Sequence, residues 1–265
     1  MIINTNISSL ASTNNLFRNE LAMNKSIEKL SSGLRINRAA DDAAGLAVSE
    51  KMRSQIRGLD MAKKNAQDGI SLVQTAEGAM NEIHDMLQRL RELTVQGTNG
   101  IYTATDQANI QAEADQLLAQ IEDIAQKANF NGINLLNAAG DIELQVGINE
   151  DDRITITSVD VTTATLGVNG LDITNTDSLE LIDTAIDTVS TERATLGAIQ
   201  NRLEHTMNSL MNSHENLSTA ESRIRDVDMA KEMATYSKYQ VLMQAGMSIT
   251  AQANQKTNLV TKLLG

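Results

Sequence analysis

Cysteine, proline and tryptophan are all absent from this 265-residue chain, and aromatic residues amount to 2%. Without cysteine there is no disulfide, no thiolate metal site and no cysteine nucleophile. Average usage would place roughly 13 prolines in a chain of this length. Without any, no ring clash or missing N–H forces a helix to stop or kink, so very long helices are allowed. The aromatic set is Phe17, Tyr102, Phe130, Tyr236 and Tyr239. The core must therefore be aliphatic, which suits narrow seams between helices. Positive charge is also in deficit: 22 Lys and Arg stand against 34 Asp and Glu, for a net charge of −12. That is the wrong sign for a phosphate backbone, and no nucleic-acid partner is expected. No apolar run reaches membrane-spanning length, and MIINTNISSLASTNN lacks the basic and apolar regions of a secretory signal. Neither a membrane span nor a cleaved signal is expected.

What is present is helical periodicity. Ile3, Ile7, Leu10, Phe17 and Leu21 keep helix spacing, Ile27 and Leu30 continue the face, and Gly33 offers a C-cap. A second pattern runs through Met52, Ile56, Leu59, Ala66, Ile70, Val73, Met80, Ile83, Leu87 and Leu90. Its steps of three, four and seven predict one coiled-coil-like helix over about 43 to 96, some 75–80 Å long at 1.5 Å per residue. Gly97, Asn99 and Gly100 break it. Ile110, Leu117, Leu118, Ile121 and Ile124 then mark a returning helix. Between about 130 and 175 the pattern changes to β: Ile142, Leu144 and Val146 alternate with polar residues, as do Ile154 and Ile156 across the turn-forming stretch 149–152. One hairpin with a short irregular extension is predicted. Asp177 followed by Glu180 resembles a capping box opening a last long seam through Ile182, Val189, Leu196, Leu203 and Leu210. Two long seams far apart in sequence bury each other only if the chain folds back. The predicted fold is mainly α, an elongated antiparallel helical bundle or coiled coil with a small β-hairpin region and the N- and C-termini paired at one end.

The two ends are unusual. Met1 to Phe17 contains no Asp, Glu, Lys or Arg, and neither does Tyr239 to Gln255. Their many amides, Asn14, Asn15, Gln240 and Gln244 among them, are too polar for hydrocarbon but suit packing against protein. The C-terminal segment carries apolar residues on two faces, one through Met229, Met233, Tyr236, Met243 and Met247, the other through Tyr239, Leu242, Ile249, Val260 and Leu263. One partner helix covers only one of them. Identical copies packed around an axis would set like charge against like charge, whereas amides and hydroxyls both donate and accept between copies. Homopolymerisation explains the gap in charge; frayed tails are the plainer alternative. Chemistry finds no foothold. His84, His205 and His214 lie outside any zinc-site spacing, no phosphate-binding glycine loop or nucleophile elbow is present, and the paired acids read as solvated helix faces. No catalytic residue, metal or cofactor is expected, and the chain does not read as an enzyme.

At both ends the residues also carry a family likeness. MIINTNISSLASTNNL, LSSGLRINRAADDAAGLAVSEKMRSQIRGL (30–59), LQRLRELTVQ (87–96), STAESRIRDVDMAKEMATYSK (218–238) and the final TNLVTKLLG resemble bacterial flagellin, in order, over about 1–140 and 175–265. The resemblance implies a structural subunit that self-assembles into the flagellar filament, a motility propeller. It implies export through the flagellum's type III apparatus and an extracellular location. The middle is short, as in a flagellin without outer variable domains. On this reading, 1–43 and 221–265 are the helices of an inner terminal domain, and 44–130, 131–176 and 177–220 form a rod domain. Assembly would rest on Ile3, Ile7, Leu10, Phe17, Leu21, Met243, Met247, Ile249, Val260 and Leu263.

The resemblance implies further residues. Arg35, Asn37, Arg38, Asp41 and Asp42 fall in the connector between the two domains, and the charges there suggest pairing with Arg223, Arg225, Asp226 and Asp228. Arg89, Leu93 and Glu113 match a patch that packs neighbouring subunits and is bound by the animal flagellin-sensing Toll-like receptor; taken alone, Arg89 and Glu113 read as solvated face residues, and it is the resemblance that favours the interface. Position 117, basic in some receptor-active members, is Leu117. Tyr236, Tyr239, Leu242, Met243, Ile249 and Leu263 fit the target of the family's export chaperone. The filament cap and hook–filament junction proteins are further implied partners. A junction protein itself, or a soluble coiled-coil adaptor, is the alternative reading.

Overall fold

The computed structural model describes residues 6–137 and 140–264, with side chains through 255. Its first helix, α1 (Ile7–Ser32), starts where the Asn6 side chain accepts the Ser9 N–H at 3.1 Å. It ends at Gly33, whose φ of 72° places it in the left-handed region that glycine enters without a Cβ penalty. The next helix, α2 (Ala43–Gly97), runs 55 residues without interruption, as the absence of proline permits. A reciprocal Thr103–Asp106 capping box opens α3 (Ala104–Lys127). Two long helices complete the chain: α4 (Asp177–Arg225) and α5 (Met229–Leu264). Asp177 is the first residue of α4 rather than its cap, and its N–H donates to Asn175 Oδ1 at 3.1 Å.

Between α3 and α4 lie two antiparallel hairpins, where one was predicted. The first joins β1 (Asn129–Phe130) to β2 (Ile133–Asn134). Asn131 and Gly132 have φ of 51° and 81°, the pair of positive values that a two-residue hairpin turn of right-handed twist requires. The second joins β3 (Gly140–Gln145) to β4 (Arg153–Ser158), with Ile142 opposite Ile156 and Leu144 opposite Ile154. Ile154, Ile156 and Ser158 point inward and are buried, as the alternation predicts.

The chain forms two compact units, Met1–Ser54 with Asn216–Gly265, and Gln55–Glu215. The second holds the core. Leu59, Ala66, Val73, Met80, Ile83, Leu87 and Leu90 of α2 are buried with Leu118 and Ile121 of α3 and Ile182, Val189, Leu196, Leu203 and Leu210 of α4. Helices α2 and α4 run antiparallel: Asp60 meets His214, Glu77 meets Arg193 and Arg91 meets Asp183. The fold is thus mainly α, with antiparallel helices and small hairpins, as the sequence predicts.

The segment 159–176 departs from the predicted irregular extension in one respect, because it is a core element. Val161, Val168 and Ile173 are fully buried, and Leu166 and Leu171 nearly so. Having no ladder of its own, it borrows side chains. Gln111 donates through Nε2 to the Leu171 carbonyl at 2.8 Å and accepts the Ile173 N–H through Oε1 at 3.0 Å, as a neighbouring strand would. Glu122 Oε2 accepts both the N–H and the hydroxyl of Thr163, at 3.0 and 2.7 Å.

Candidate functional site

The first unit is built differently. Among its described residues, Ile36 is the one buried apolar side chain, and Ser26 and Ser49 are the buried polar ones. Its two terminal helices, α1 and α5, run antiparallel. Asn6 Nδ2 donates to the Ala253 carbonyl at 3.1 Å, Ser12 and Thr250 share a hydroxyl bond at 2.7 Å, and Gly246 lies against Leu16. A Cβ on Gly246 would stand 2.9 Å from Leu16, so glycine there lets the helices approach closely. These contacts are made largely by small and polar side chains.

The larger apolar side chains of α1 point elsewhere. At about 100° per residue, Ile7, Leu10, Phe17 and Leu21 fall within about 80° of one another, on the side opposite Ser12 and Leu16. They are 63%, 58%, 60% and 52% exposed. On α5, Met229, Met233, Val241, Leu242, Met247 and Ile249 are likewise exposed, while Tyr236, Tyr239 and Met243 are half-buried. Ile3 and the side chains of Val260 and Leu263 lie outside the described residues. The charge-free ends of the sequence thus form a helix pair that turns much of its apolar surface to solvent, with no charged group between Asn6 and Phe17 or between Tyr239 and Gln255.

The stretch after α1 and the end of α4 are held together by backbone more than by the expected charge pairs. Leu34 and Asp226 form an isolated antiparallel bridge, with Arg35 N–H donating to the Arg225 carbonyl at 2.6 Å and Val227 N–H to the Gly33 carbonyl at 3.0 Å. Arg35 also donates from its guanidinium to the Ile224 carbonyl. The charged side chains find partners on the long helices instead. Arg38 pairs with Glu28 at 2.8 Å, Lys25 with Asp41 at 3.2 Å, and Arg225 with Glu50 at 2.6 Å. The Lys25 ammonium, followed by the Arg38 N–H, holds the Asp41 carboxyl below its ordinary pKa. Asn37 donates to Ser32 Oγ at 2.8 Å, and Asp42 accepts the Gly45 N–H at 2.8 Å.

In the second unit, Arg89 pairs with Glu113: two guanidinium nitrogens reach Glu113 Oε1 at 2.8 and 3.2 Å, and a third reaches Glu92 at 2.9 Å. Glu113 first, then Glu92, raises the Arg89 pKa. Leu93 is a correction. It is 2% exposed, inside the core one turn beyond Leu90, and offers no surface to a partner. The histidines sit apart: His84 Nε2 contacts Gln88 at 2.7 Å and His214 Nε2 contacts Asp60 at 3.3 Å. Among the described residues no group of three His, Asp or Glu side chains could hold a metal, and no helix is long and apolar enough to cross a membrane.

Two family descriptions match the chain, "Bacterial flagellin N-terminal helical region" over 3–141 and "Bacterial flagellin C-terminal helical region" over 179–264. The chain belongs to the bacterial flagellin family. It is 51% identical to a flagellin of Halalkalibacterium halodurans over 271 residues, and 48% identical to a flagellin of Bacillus subtilis over 303; in each case the whole of both chains is covered. Flagellin FlaB2 of Treponema pallidum is 47% identical over 285 residues, again covering both chains in full. The crystal structure of Bacillus cereus flagellin, 33% identical, superposes with a TM-score of 0.51 over 56% of this chain and 88% of that one. The "Structure of putative flagellar hook-associated protein from Vibrio parahaemolyticus", 13% identical, shares the fold with a TM-score of 0.60 over 70% of this chain and all of that one. This flagellin is a structural protein of the extracellular flagellar filament, and it polymerises with copies of itself.

Proposed function

We propose that this flagellin polymerises through its first unit. The observation that supports it is a single contrast: Ile36 alone among the unit's described apolar side chains is buried, whereas Ile7, Leu10, Phe17, Val241, Met247 and Ile249 are more than half exposed. At about 25 cal/mol per Å² of apolar area removed from water, such a surface gains strongly from burial between copies. The absence of charge removes the repulsion that would oppose it. On this reading, 1–43 with 221–265 form the inner terminal domain and 44–220 the rod, the bridge at Leu34 and Asp226 being part of the connector. No chemical step is required of any residue.

The finer partners rest on the same surfaces. Tyr236, Tyr239, Leu242, Met243, Ile249 and Leu263 on α5 suit an export chaperone that covers the assembly face before the type III apparatus takes the chain. Arg89 and Glu113 suit a neighbouring subunit or the animal Toll-like receptor, without Leu93. The cap and junction proteins would meet the two ends of the growing polymer.

The test is elongation of short filament seeds, followed by electron microscopy. The unaltered chain is expected to extend them. Leu10→Glu with Phe17→Glu should reduce extension at least about tenfold, since each places an unpaired charge in an apolar contact, while the thermal transition of the second unit stays within 2 °C or so of its original value. Extension by the double variant at the original rate would remove the terminal helices from the assembly surface, and discrete short oligomers from the unaltered chain would favour a junction protein.

A further inference from the structure

Around the axis of α5, the positions that touch α1 occupy one sector, marked by Gly246 against Leu16 and Thr250 against Ser12. To one side project Met243, about 40° from the centre of that sector, Met229 and Met247, about 80° from it, and Met233, about 120° from it; about 70° to the other side project Leu242 and Ile249. The two flanks differ in chemistry. One carries branched aliphatic side chains, with Lys231 and Lys238 on the same side nearer the start of the helix, while the apolar atoms of the other come chiefly from four thioethers and the Tyr236 ring. Four of the chain's 12 methionines thus share one flank of one helix. Met229, Met233 and Met247 are 48%, 50% and 54% exposed, and Met243 is half-buried. No lysine, arginine or acid lies between Tyr239 and Gln255 to make that stretch polar by other means.

We propose that this methionine flank is a site of reversible sulfoxidation that gates addition of the subunit to its filament, an inference that rests on the assembly reading above. A peroxide is the oxidant. The thioether sulfur attacks one peroxide oxygen, the O–O bond breaks, a sulfur–oxygen bond forms and water leaves; sulfur is oxidised by two electrons and the peroxide is reduced by two. Each product side chain carries a strong dipole that seeks hydrogen-bond donors, on a surface that must otherwise enter an apolar contact with another copy. Aliphatic side chains at the same positions would give equal burial without this liability, so the sulfur is what makes the flank responsive. Methionine sulfoxide reductases, one for each epimer, reverse the change. Addition to a filament covers the flank, so free subunits react and incorporated ones are shielded.

The experiment treats the free full-length chain with hydrogen peroxide, maps sulfoxide by peptide mass spectrometry and measures seeded elongation before treatment, after treatment and after both reductases. Met80, fully buried in the second unit, is the internal unreactive reference. Expected are sulfoxide at Met229, Met233, Met243 and Met247, elongation slowed about tenfold or more, and recovery with the reductases. A chain with all four changed to Leu is compared with its own untreated rate and should keep that rate after peroxide. A chain carrying Met61→Leu and Met211→Leu, the exposed methionines of the second unit, should remain sensitive. Should the four-Leu chain not elongate, a partially oxidised unaltered chain is elongated and the sulfoxide in pellet and supernatant compared; at least fivefold or so enrichment of the four sulfoxides in the supernatant is expected. Equal partition, undiminished elongation of the oxidised chain, or resistance conferred by the Met61 and Met211 changes would overturn the proposal and leave the assembly reading intact. Failure of the untreated, unaltered chain to elongate would remove both.

Discussion

Single side chains decide how the irregular segment 159–176 is kept in the core. Gln111 satisfies two backbone groups that no strand or helix reaches. Gln111→Ala would leave the Leu171 carbonyl and the Ile173 N–H without those partners, which costs about 1–3 kcal/mol for a buried polar group left unsatisfied. A fall of that size in the urea-unfolding free energy of the monomer is expected, with Gln111→Glu less harmful to the Ile173 N–H than to the Leu171 carbonyl. Glu122 adds a dependence on pH. The Thr163 hydroxyl, then the Thr163 N–H, lowers its pKa; the Thr162 N–H does the same for Asp160, and the Thr174 hydroxyl for Asp172. A carboxyl whose folded pKa lies below its unfolded one contributes stability that is fully present above the unfolded value and is lost as pH falls through the folded value. The segment should therefore loosen below about pH 4.5, near the ordinary glutamate value. Amide exchange at Val161, Val168 and Ile173, corrected for the intrinsic rate, should rise as pH drops from 5 towards 3 or so. Glu122→Gln should flatten part of that rise, and an unchanged profile would remove Glu122 from the account.

Among the elements, the long helices contain glycines of opposite meaning. Gly78 lies inside α2 with open space where its Cβ would be. Gly78→Ala should stabilise the monomer by about 0.5–1 kcal/mol, because alanine restricts the unfolded chain and favours the helix. Gly97 ends the same helix with a Cβ position 2.8 Å from Ile173 Cδ1 and 3.1 Å from the Ile173 carbonyl oxygen. Gly97→Ala should destabilise by about 1–3 kcal/mol, since a buried isoleucine and its backbone must shift. Thermal unfolding of the two variants should move in opposite directions. What was legible in the sequence follows the same division. Seams of threes and fours located α2 and α4 closely, and Gly33 announced the end of α1, because helix periodicity and a left-handed cap are local signals. Segment 159–176 is legible in the sequence only as an irregular extension, because its apolar residues follow neither helical nor strand spacing and its partners, Gln111 and Glu122, lie on another element. The family resemblance puts Leu93 in the patch with Arg89 and Glu113, although it follows Leu90 by three residues and so falls on the buried face. The exposure of the α1 stripe could be argued from its missing charge, but the side of α1 that meets α5 could not, since Ser12, Leu16, Gly246 and Thr250 keep helical spacing without forming an apolar stripe.

Across the whole molecule, the two units should differ in stability for the same reason that the filament forms. The second unit buries a continuous aliphatic core drawn from three helices, the β3–β4 hairpin and the segment 159–176. The first buries Ile36 and is otherwise joined by hydroxyl and amide bonds, the bridge at Leu34 and Asp226, and exposed ion pairs that contribute little each. Isolated helical turns gain most of their stability from packing of an apolar face, and here much of that face is exposed in the single chain. Hydrogen exchange of the free subunit at neutral pH should therefore show strong protection at Val73, Leu87, Ile121 and Leu203. Protection at Leu10, Phe17, Met243 and Met247 should be weak. In the assembled filament the second group should gain at least about a hundredfold in protection, as binding of the folded form shifts the opening equilibrium by mass action. Strong protection of α1 and α5 in the free subunit would mean that the helix pair is self-sufficient. Its exposed apolar stripes would then no longer explain why polymerisation is favourable, and the driving surface would have to be sought on the second unit, around Arg89 and Glu113.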